Sequence, residues 1–453
     1  PDIKINASTV DTFTFEAGSA LNLSLNQENF ASGKGNQAGT TFAKAMLTAN
    51  NKTNTATEHY YLYLNISNNT FTYSIDNNTP EILLSIKDSS NNEITTLTGL
   101  TYKTVTDGKG ASIKGFDITN KKGLVTILNN REITTTSTKT EEWNVTVTFV
   151  NYNSNQAGNA GKIFSAKLMI QKEKMPTVLS DVCTSGNNLA SCITTLSNKS
   201  GPSIVNIYHH TSSLANGAGD NSYRYAGASD SVNNYICLGS DETTCPDANL
   251  FRIIGVFGAQ TKVIRAKSVG SKEWHTSNDN TWSSSSLNTY LNEEYLASLG
   301  TLADKIATTT WKVGGGIYSN IAESIPSIAY QNEVGVNSST TTYDAKIGLM
   351  YVSDYYYAAS PSAWTLVGYS SSNPTTDYRV ATSINWMYMG IDDWTLTPNT
   401  SDSETMFGIL SYGYVTSGFV SMDNYCVRPV FNLDTSVTYA SGSGTQSDPI
   451  RIN

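Results

Sequence analysis

The feature that most constrains this chain is how its first 175 residues break into short β-prone runs. TFAKAMLTAN (41–50), HYYLYLNI (59–66), TFTYSI (70–75), EILLSIK (81–87), GLVTIL (123–128), WNVTVTFVNY (143–152) and IFSAKLMIQ (163–171) are each of strand length. Several of them alternate apolar and polar residues, and turn clusters such as NNKTNT, DNNTP, TDGKG and SNQAGNAGK lie between them. No long amphipathic helix interrupts the series. Strands of this kind bury their apolar faces by stacking one sheet on another, so a sandwich or jelly roll is expected.

At 453 residues the chain exceeds what one core usually serves, so a second unit is expected. The texture changes at QKEKMPTVLSDVCTSGNN (171–188). Beyond it, LFRIIGVFG (250–258) and TKVIRAKSVG (261–270) read as a hairpin turning at Ala259-Gln260. TWSSSSLNTYLNEEYLASL (281–299) reads as the best helix of the chain, capped by Ser286. Its Leu287, Tyr290, Leu291, Tyr295 and Leu299 have helical spacing for one buried face. KIGLMYVSDYYYAAS (346–360) reads as a strand running into an aromatic loop. INWMYMGIDDWTL (384–396), SYGYVTSGFV (411–420) and CVRPVFNL (426–433) follow.

Only 15% of residues are charged, and Ser, Thr, Asn, Gly and Tyr take their place, as in β-rich exported proteins rather than helical cytosolic enzymes. No apolar run reaches the roughly 18 residues needed to cross a bilayer, so no transmembrane segment is expected. The opening PDIKINAS reads as a mature form without its export signal, and the closing GTQSDPIRIN carries no anchor motif. The first 175 residues are close to neutral, and the remainder carries the acidic excess behind the net charge of −9. With no basic stripe to offset it, nucleic acid is not an expected partner.

All five cysteines follow residue 180. Cys183 with Cys192, and Cys237 with Cys245, enclose short loops that can bridge locally in an oxidising compartment, leaving Cys426 single. There is no CxxC, and the four histidines are not at ligand spacing from the cysteines, so no metal site is expected. GxSxG, HExxH and GxxxxGK[ST] are absent, and GKG (108–110) and VGGGIYS (313–319) read as turns. His209-His210 reads as a surface pair rather than a catalytic base. Neither an enzyme nor a cofactor is expected.

NLSLNQENFASGKG, FAKAMLTANNKTNTATEHYYLYLNI and WNVTVTFVNYNSNQAGNAGKIFSAKL resemble the TasA/camelysin family of Gram-positive matrix and fibre proteins. The resemblance covers residues 1 to about 174 and implies a jelly-roll fibre domain in which an N-terminal strand can complete a neighbour's sheet. Residues 1–15 are then the candidate donor strand, with Ile3, Ile5, Phe13 and Phe15 as its inserted side chains. The helix, GLMYVSDY, NWMYMGIDDW and VRPVFNL, in that order, resemble the C-type-lectin-like fold. The closer likeness is to its bacterial branch, shared with formylglycine-generating enzymes and retroelement variable proteins. NLFRIIGVFG, AKIGLMYVSDYYYAASPSAW and SGSGTQSDPIRIN are similar to a family of gut-bacterial surface domains.

This second resemblance implies that WMYMG is a central strand with Trp386, Met387 and Met389 in the core. Irregular loops around it would form a binding face. The side chains expected on that face are Tyr355, Tyr356, Tyr357, Trp364, Tyr369, Tyr378, Asp392, Asp393, Trp394, Tyr412, Tyr414, Asp423, Asn424 and Tyr425. The EPN, QPD and WND motifs of calcium-dependent sugar binding are absent, and Cys426 alone cannot supply formylglycine-generating chemistry.

The expected fold is therefore mainly β: an N-terminal jelly roll or β-sandwich (16–174), a linker (175–200) and a C-type-lectin-like α+β domain (201–453). The expected function is that of an extracellular bacterial surface or fibre subunit that polymerises with itself and binds a protein or glycan ligand. A purely structural matrix protein and a monomeric two-domain receptor are the alternatives.

Overall fold

A computed structural model describes residues 10–25, 34–50 and 54–453. The chain divides into two compact units at Met175/Pro176 and is mainly β, with several open sheets and, among the described residues, no closed barrel.

The first unit is a two-sheet antiparallel sandwich. One sheet holds β1 (Thr12–Ala17), β3 (Gln37–Thr48), β9 (Thr138–Phe149), β5 (Ile82–Asp88), β7 (Ser112–Asp117) and β6 (Tyr102–Thr106), in that order. The other holds β2 (Leu21–Ser24), β10 (Ile163–Gln171), β4 (Ala56–Asn69) and β8 (Gly123–Thr135). The period of two in the sequence fixes what lies between them. Leu62, Leu64 and Ile66 of β4 share one buried cluster with Val145, Val147 and Phe149 of β9 and with Phe164, Ala166 and Leu168 of β10.

Six of the seven expected runs carry strands here, and TFTYSI does not. Its backbone is taken by side chains instead. The Asn159 carboxamide oxygen accepts from Thr72 N at 3.0 Å, and the buried Glu81 carboxylate accepts from Ser74 N and Ile75 N. Gln156 and Asn159 donate to the same carboxylate, so one acid organises two loops.

Phe13 and Phe15 lie on β1, which pairs within its own chain from Thr12↔Thr48 to Ala17↔Ala43. Both rings pack beside Tyr60. These two side chains therefore fold back into their own sheet, correcting the expectation that they are donated to a neighbour. Ile3 and Ile5 lie outside the described residues.

The second unit is built on an antiparallel sheet ordered β11 (Ile207–His209), β12 (Tyr223–Tyr225), β14 (Leu250–Phe257), β15 (Gln260–Arg265), β22 (Val430–Leu433) and β18 (Ile347–Gly348). Strand β13 (Tyr235–Cys237) adds to β14. A three-stranded sheet joins β19 (Asp393–Pro398), β20 (Thr405–Ile409) and β21 (Val415–Phe419). Two ribbons complete the set, β16 (Thr309–Lys312) with β17 (Thr342–Ala345) and β23 (Tyr439–Ser441) with β24 (Arg451–Ile452).

The segment expected as a linker is part of this unit. Leu179, Cys183 and the helix Leu189–Ser200, through Leu189, Ile193 and Leu196, enter the main buried cluster. Cys183–Cys192 and Cys237–Cys245 are bridged as their spacing suggests, with Cys426 free. The β14–β15 hairpin turns one residue earlier than expected, at Gly258-Ala259, where Gly258 has φ +61°. The helix expected at 281–299 runs over 286–298, with a π turn at Tyr290–Tyr295. Its cap is Ser285, whose hydroxyl accepts from Asn288 N, rather than Ser286.

WMYMG is not a strand. Trp386 and Met387 are buried, as expected of core residues, but Met389 is 42% exposed. Arginines replace strand neighbours along this segment: Arg252 donates to Trp386 O at 3.3 Å and Arg428 to Met387 O at 2.9 Å. Strand structure begins only at Asp393.

Candidate functional site

The fourteen residues expected on a binding face separate into two groups. Tyr355, Tyr356 and Tyr357 lie on a short helix, Val352–Ala358, not in a loop, and all three are essentially inaccessible. Each hydroxyl donates to a carbonyl: Tyr355 to Gly413 O, Tyr356 to Ile321 O and Tyr357 to Asn216 O. Tyr378 is buried and donates to Tyr356 O. Trp364 donates to Ala359 O. Trp394 donates to Lys272 O and stacks on Tyr425 with centroids 3.9 Å apart. Asp393 is buried against Arg428 at 2.5 Å. These eight residues are buried framework: six of them place a hydroxyl or indole N–H on a carbonyl, Asp393 pairs with Arg428 and Tyr425 packs on Trp394.

Tyr369, Asp392, Tyr412, Tyr414, Asp423 and Asn424 remain at least partly accessible. Three of them form an aromatic face. Tyr369 and Tyr414 have ring centroids 5.1 Å apart, and Tyr412, 71% exposed, follows Tyr414 at 6.5 Å with a 15° interplanar angle. The Arg379 guanidinium lies 5.4 Å from the Tyr369 centroid and 5.1 Å from that of Tyr414. Its position is fixed by Asp377, which it meets through Nε (3.0 Å) and Nη2 (2.5 Å), and by Ser370 O at 2.8 Å. Those bonds hold the Arg379 charge on, raising its pKa further.

The loops beneath this face are tied by short-range bonds that the sequence encodes locally. Asp377 accepts from Ser370 N and Arg379 N, and Asn373 accepts from Thr375 N. On the other loop, Asp392 accepts from Ser411 N at 2.7 Å and Tyr388 donates to Ser411 O at 2.6 Å. Gly413, at φ +92°, lets that loop close between Leu410 and Tyr414. Arg379 was missed from the sequence; the Asp-x-Arg spacing, with Asp377 capping the turn, is the signal that could have found it.

A second concentration of chemistry is interior. Asp354 receives Lys262 Nζ at 2.5 Å and Tyr351 N at 2.9 Å, and Arg224 Nη1 lies 3.9 Å away. Arg224 also pairs with Asp220 at 2.7 Å. Phe257, Tyr330 and Tyr357 surround its guanidinium with centroids at 4.7–5.1 Å. Burial pushes the Lys262 ammonium down, with Asp354 opposing. Glu333, also buried, accepts from Val352 N, Ser353 N and Thr397 Oγ1, and burial pushes its carboxyl up. A cavity of about 150 Å³ opens onto this cluster, yet the charges are paired with one another and hold the sheet to the helix Val352–Ala358.

His210 corrects another expectation. It is fully buried, against Tyr357 and Trp364, and its Nδ1 accepts from Ala218 N at 3.0 Å. Burial first, and the Arg224 charge second, press its pKa down to about 2. Among the described residues no group of three or more His, Cys, Asp or Glu side chains is placed to hold a metal, and no helix is long and apolar enough to cross a membrane.

With this geometry in hand, residues 259–435 match a family described as Domain of unknown function (DUF6273). The matched stretch holds β15 through β22 and the aromatic face, including Arg379. No curated protein and no solved structure matches the chain.

Proposed function

We propose that this chain is an exported bacterial surface protein that binds a glycan on the Tyr369–Arg379–Tyr414–Tyr412 face, with the N-terminal sandwich presenting that face. The observation carrying the proposal is that accessible tyrosine rings and one oriented guanidinium are fixed side by side on stapled loops. Ring faces pack on the C–H faces of a sugar while the guanidinium and hydroxyls bond its oxygens, at little entropic cost because the loops are already ordered. Two disulfides and a low charge content support export. The test is a glycan array followed by calorimetry on the best ligand. Tyr412→Ala and Tyr414→Ala should each weaken binding at least about tenfold, or 1.4 kcal/mol, with the far-UV spectrum unchanged. Binding to protein arrays alone, or glycan binding untouched by both substitutions, overturns the reading.

A second reading, a self-assembling fibre subunit, is favoured by one observation: β1 and β6 end the six-stranded sheet, and each has a strand partner on one side only among the described residues. Light scattering and negative-stain microscopy of the chain with and without residues 1–9 decide it. Filaments that vanish on deletion establish assembly through that lead, and a monomer in both cases sinks it.

A further inference from the structure

We infer that the second unit carries a separate site for a small carboxylate of monosaccharide size, in the cleft between the end of β15 and the helix over 286–298, with Arg265 as the anion-binding residue and Tyr295 as a hydrogen-bond donor. The cleft has a volume of about 350 Å³, within the range of pockets that take small organic ligands. It does not touch the aromatic face and does not depend on the glycan reading.

Arg265 ends β15, and its Nε is buried without a hydrogen-bond acceptor. Its Nη1 reaches only Ser268 O at 3.4 Å, and no carboxylate among the described residues lies within ion-pair distance of it. Of the buried cations, Arg224, Lys262 and Arg428 have acids, and Arg252, without one, has its Nε, Nη1 and Nη2 bonded to Asn234, Ser229 and backbone carbonyls. Tyr295 is 7% exposed, and its hydroxyl is also buried without a partner. Both side chains line the same cleft. Leaving a buried donor unsatisfied is costly, and the planar guanidinium fork matches a carboxylate. Burial pushes the Tyr295 hydroxyl pKa up, against a smaller opposing effect of Arg265, so at neutral pH it stays protonated and able to donate.

The walls are built rather than incidental. One is the loop from Leu238 to Asn249, closed by the Cys237–Cys245 bridge. Arg451 clamps that loop by donating to Ser240 O and Glu242 O, each at 2.6 Å, and the Asn249 side chain ties it to Leu238 O at 2.7 Å. Tyr295, the last residue of the π turn Tyr290–Tyr295, lines the cleft together with Ser298, Leu299 and Leu302 that follow it. Carboxylate recognition fits this frame because a guanidinium and a phenolic hydroxyl line one cleft together with Ser298 and Asn249, groups whose oxygens can accept from the rest of a polar ligand.

The test is calorimetry of the full chain with D-glucuronate, D-glucose and inorganic phosphate as probes. Glucuronate should bind at least tenfold more tightly than glucose or phosphate. Arg265→Met should weaken it at least tenfold and Tyr295→Phe about threefold, the latter preserving packing should the former fail to fold. Tyr412→Ala should leave glucuronate binding unchanged, which separates this site from the aromatic face. The proposal is overturned by no heat with glucuronate, by equal binding of glucose, by preference for phosphate, or by binding that survives both Arg265→Met and Tyr295→Phe.

Discussion

Replacing Asp354 with alanine is expected to lower the stability of the second unit by about 3–5 kcal/mol. Asp354 is 2% exposed and stands between two cations that are themselves buried, Lys262 and Arg224. Without it, Lys262 can shed its proton, since burial already presses its pKa down, but Arg224 cannot. Arg224 keeps Asp220, so the loss falls mainly on Lys262, left buried without its acid and driven to give up its proton, and on the missing bond to Tyr351 N at the start of the helix Val352–Ala358. The double replacement Asp354→Ala with Lys262→Met should therefore recover part of the loss, because removing both partners of a buried pair is far less harmful than removing one. Denaturant unfolding followed by tryptophan fluorescence reports on this unit, since every tryptophan except Trp143 lies in it. A single-variant loss below about 1 kcal/mol would show the cluster to be dispensable.

The second large effect is acid sensitivity. The unfolded chain protonates a histidine near pH 6.5, whereas His210 in the fold resists protonation down to about 2. Below pH 6.5 the unfolded state thus binds a proton that the folded state does not, and stability falls as pH falls. The slope approaches about 1.4 kcal/mol per pH unit well below pH 6.5, so acidification from pH 6.5 to 4.5 should remove about 2 kcal/mol. The groups facing His210 do not reverse the sign: Arg224 adds to the depression, and Asp220 opposes it but is outweighed by burial. Asp220 itself is held well below the usual carboxylate range by Arg224 and Ser222, against burial, so its own contribution is lost only at more acidic pH. His210→Gln keeps an acceptor for Ala218 N and removes the titration. Its stability should lose this slope between pH 6.5 and 4.5, and an unchanged slope would assign the acid response elsewhere.

The legible parts of this structure are those set by near neighbours in sequence. Strands such as β4, β9 and β10 announce themselves because alternation is a local pattern, and both disulfides because their loops are short. The failures share a cause. TFTYSI has strand composition, but its amides bond Asn159 and Glu81, a demand no local pattern reveals. YVSDYYYA looks like a strand leading to a loop, yet Glu333 and Asp354 accept its first amides and make it a helix. Trp386 and Met387 are core without lying in a strand, since their carbonyls are met by Arg252 and Arg428 from distant segments. The candidate face was legible in kind but not in membership. Tyr356 and Tyr412 look alike in sequence, and only the carbonyl of Ile321 waiting for one of them tells framework from surface.

The stapled loops have a consequence for change. Asp377, Asn373 and Asp392 hold the backbone, while Tyr412, Val380 and the exposed residues 371, 372 and 374–376 point outward. Anchoring and display thus fall to different side chains on the same loops, so the outward positions can be exchanged without loosening the chain that carries them. A library randomised at those outward positions, with the three anchors kept, would sample ligand preference on a constant scaffold.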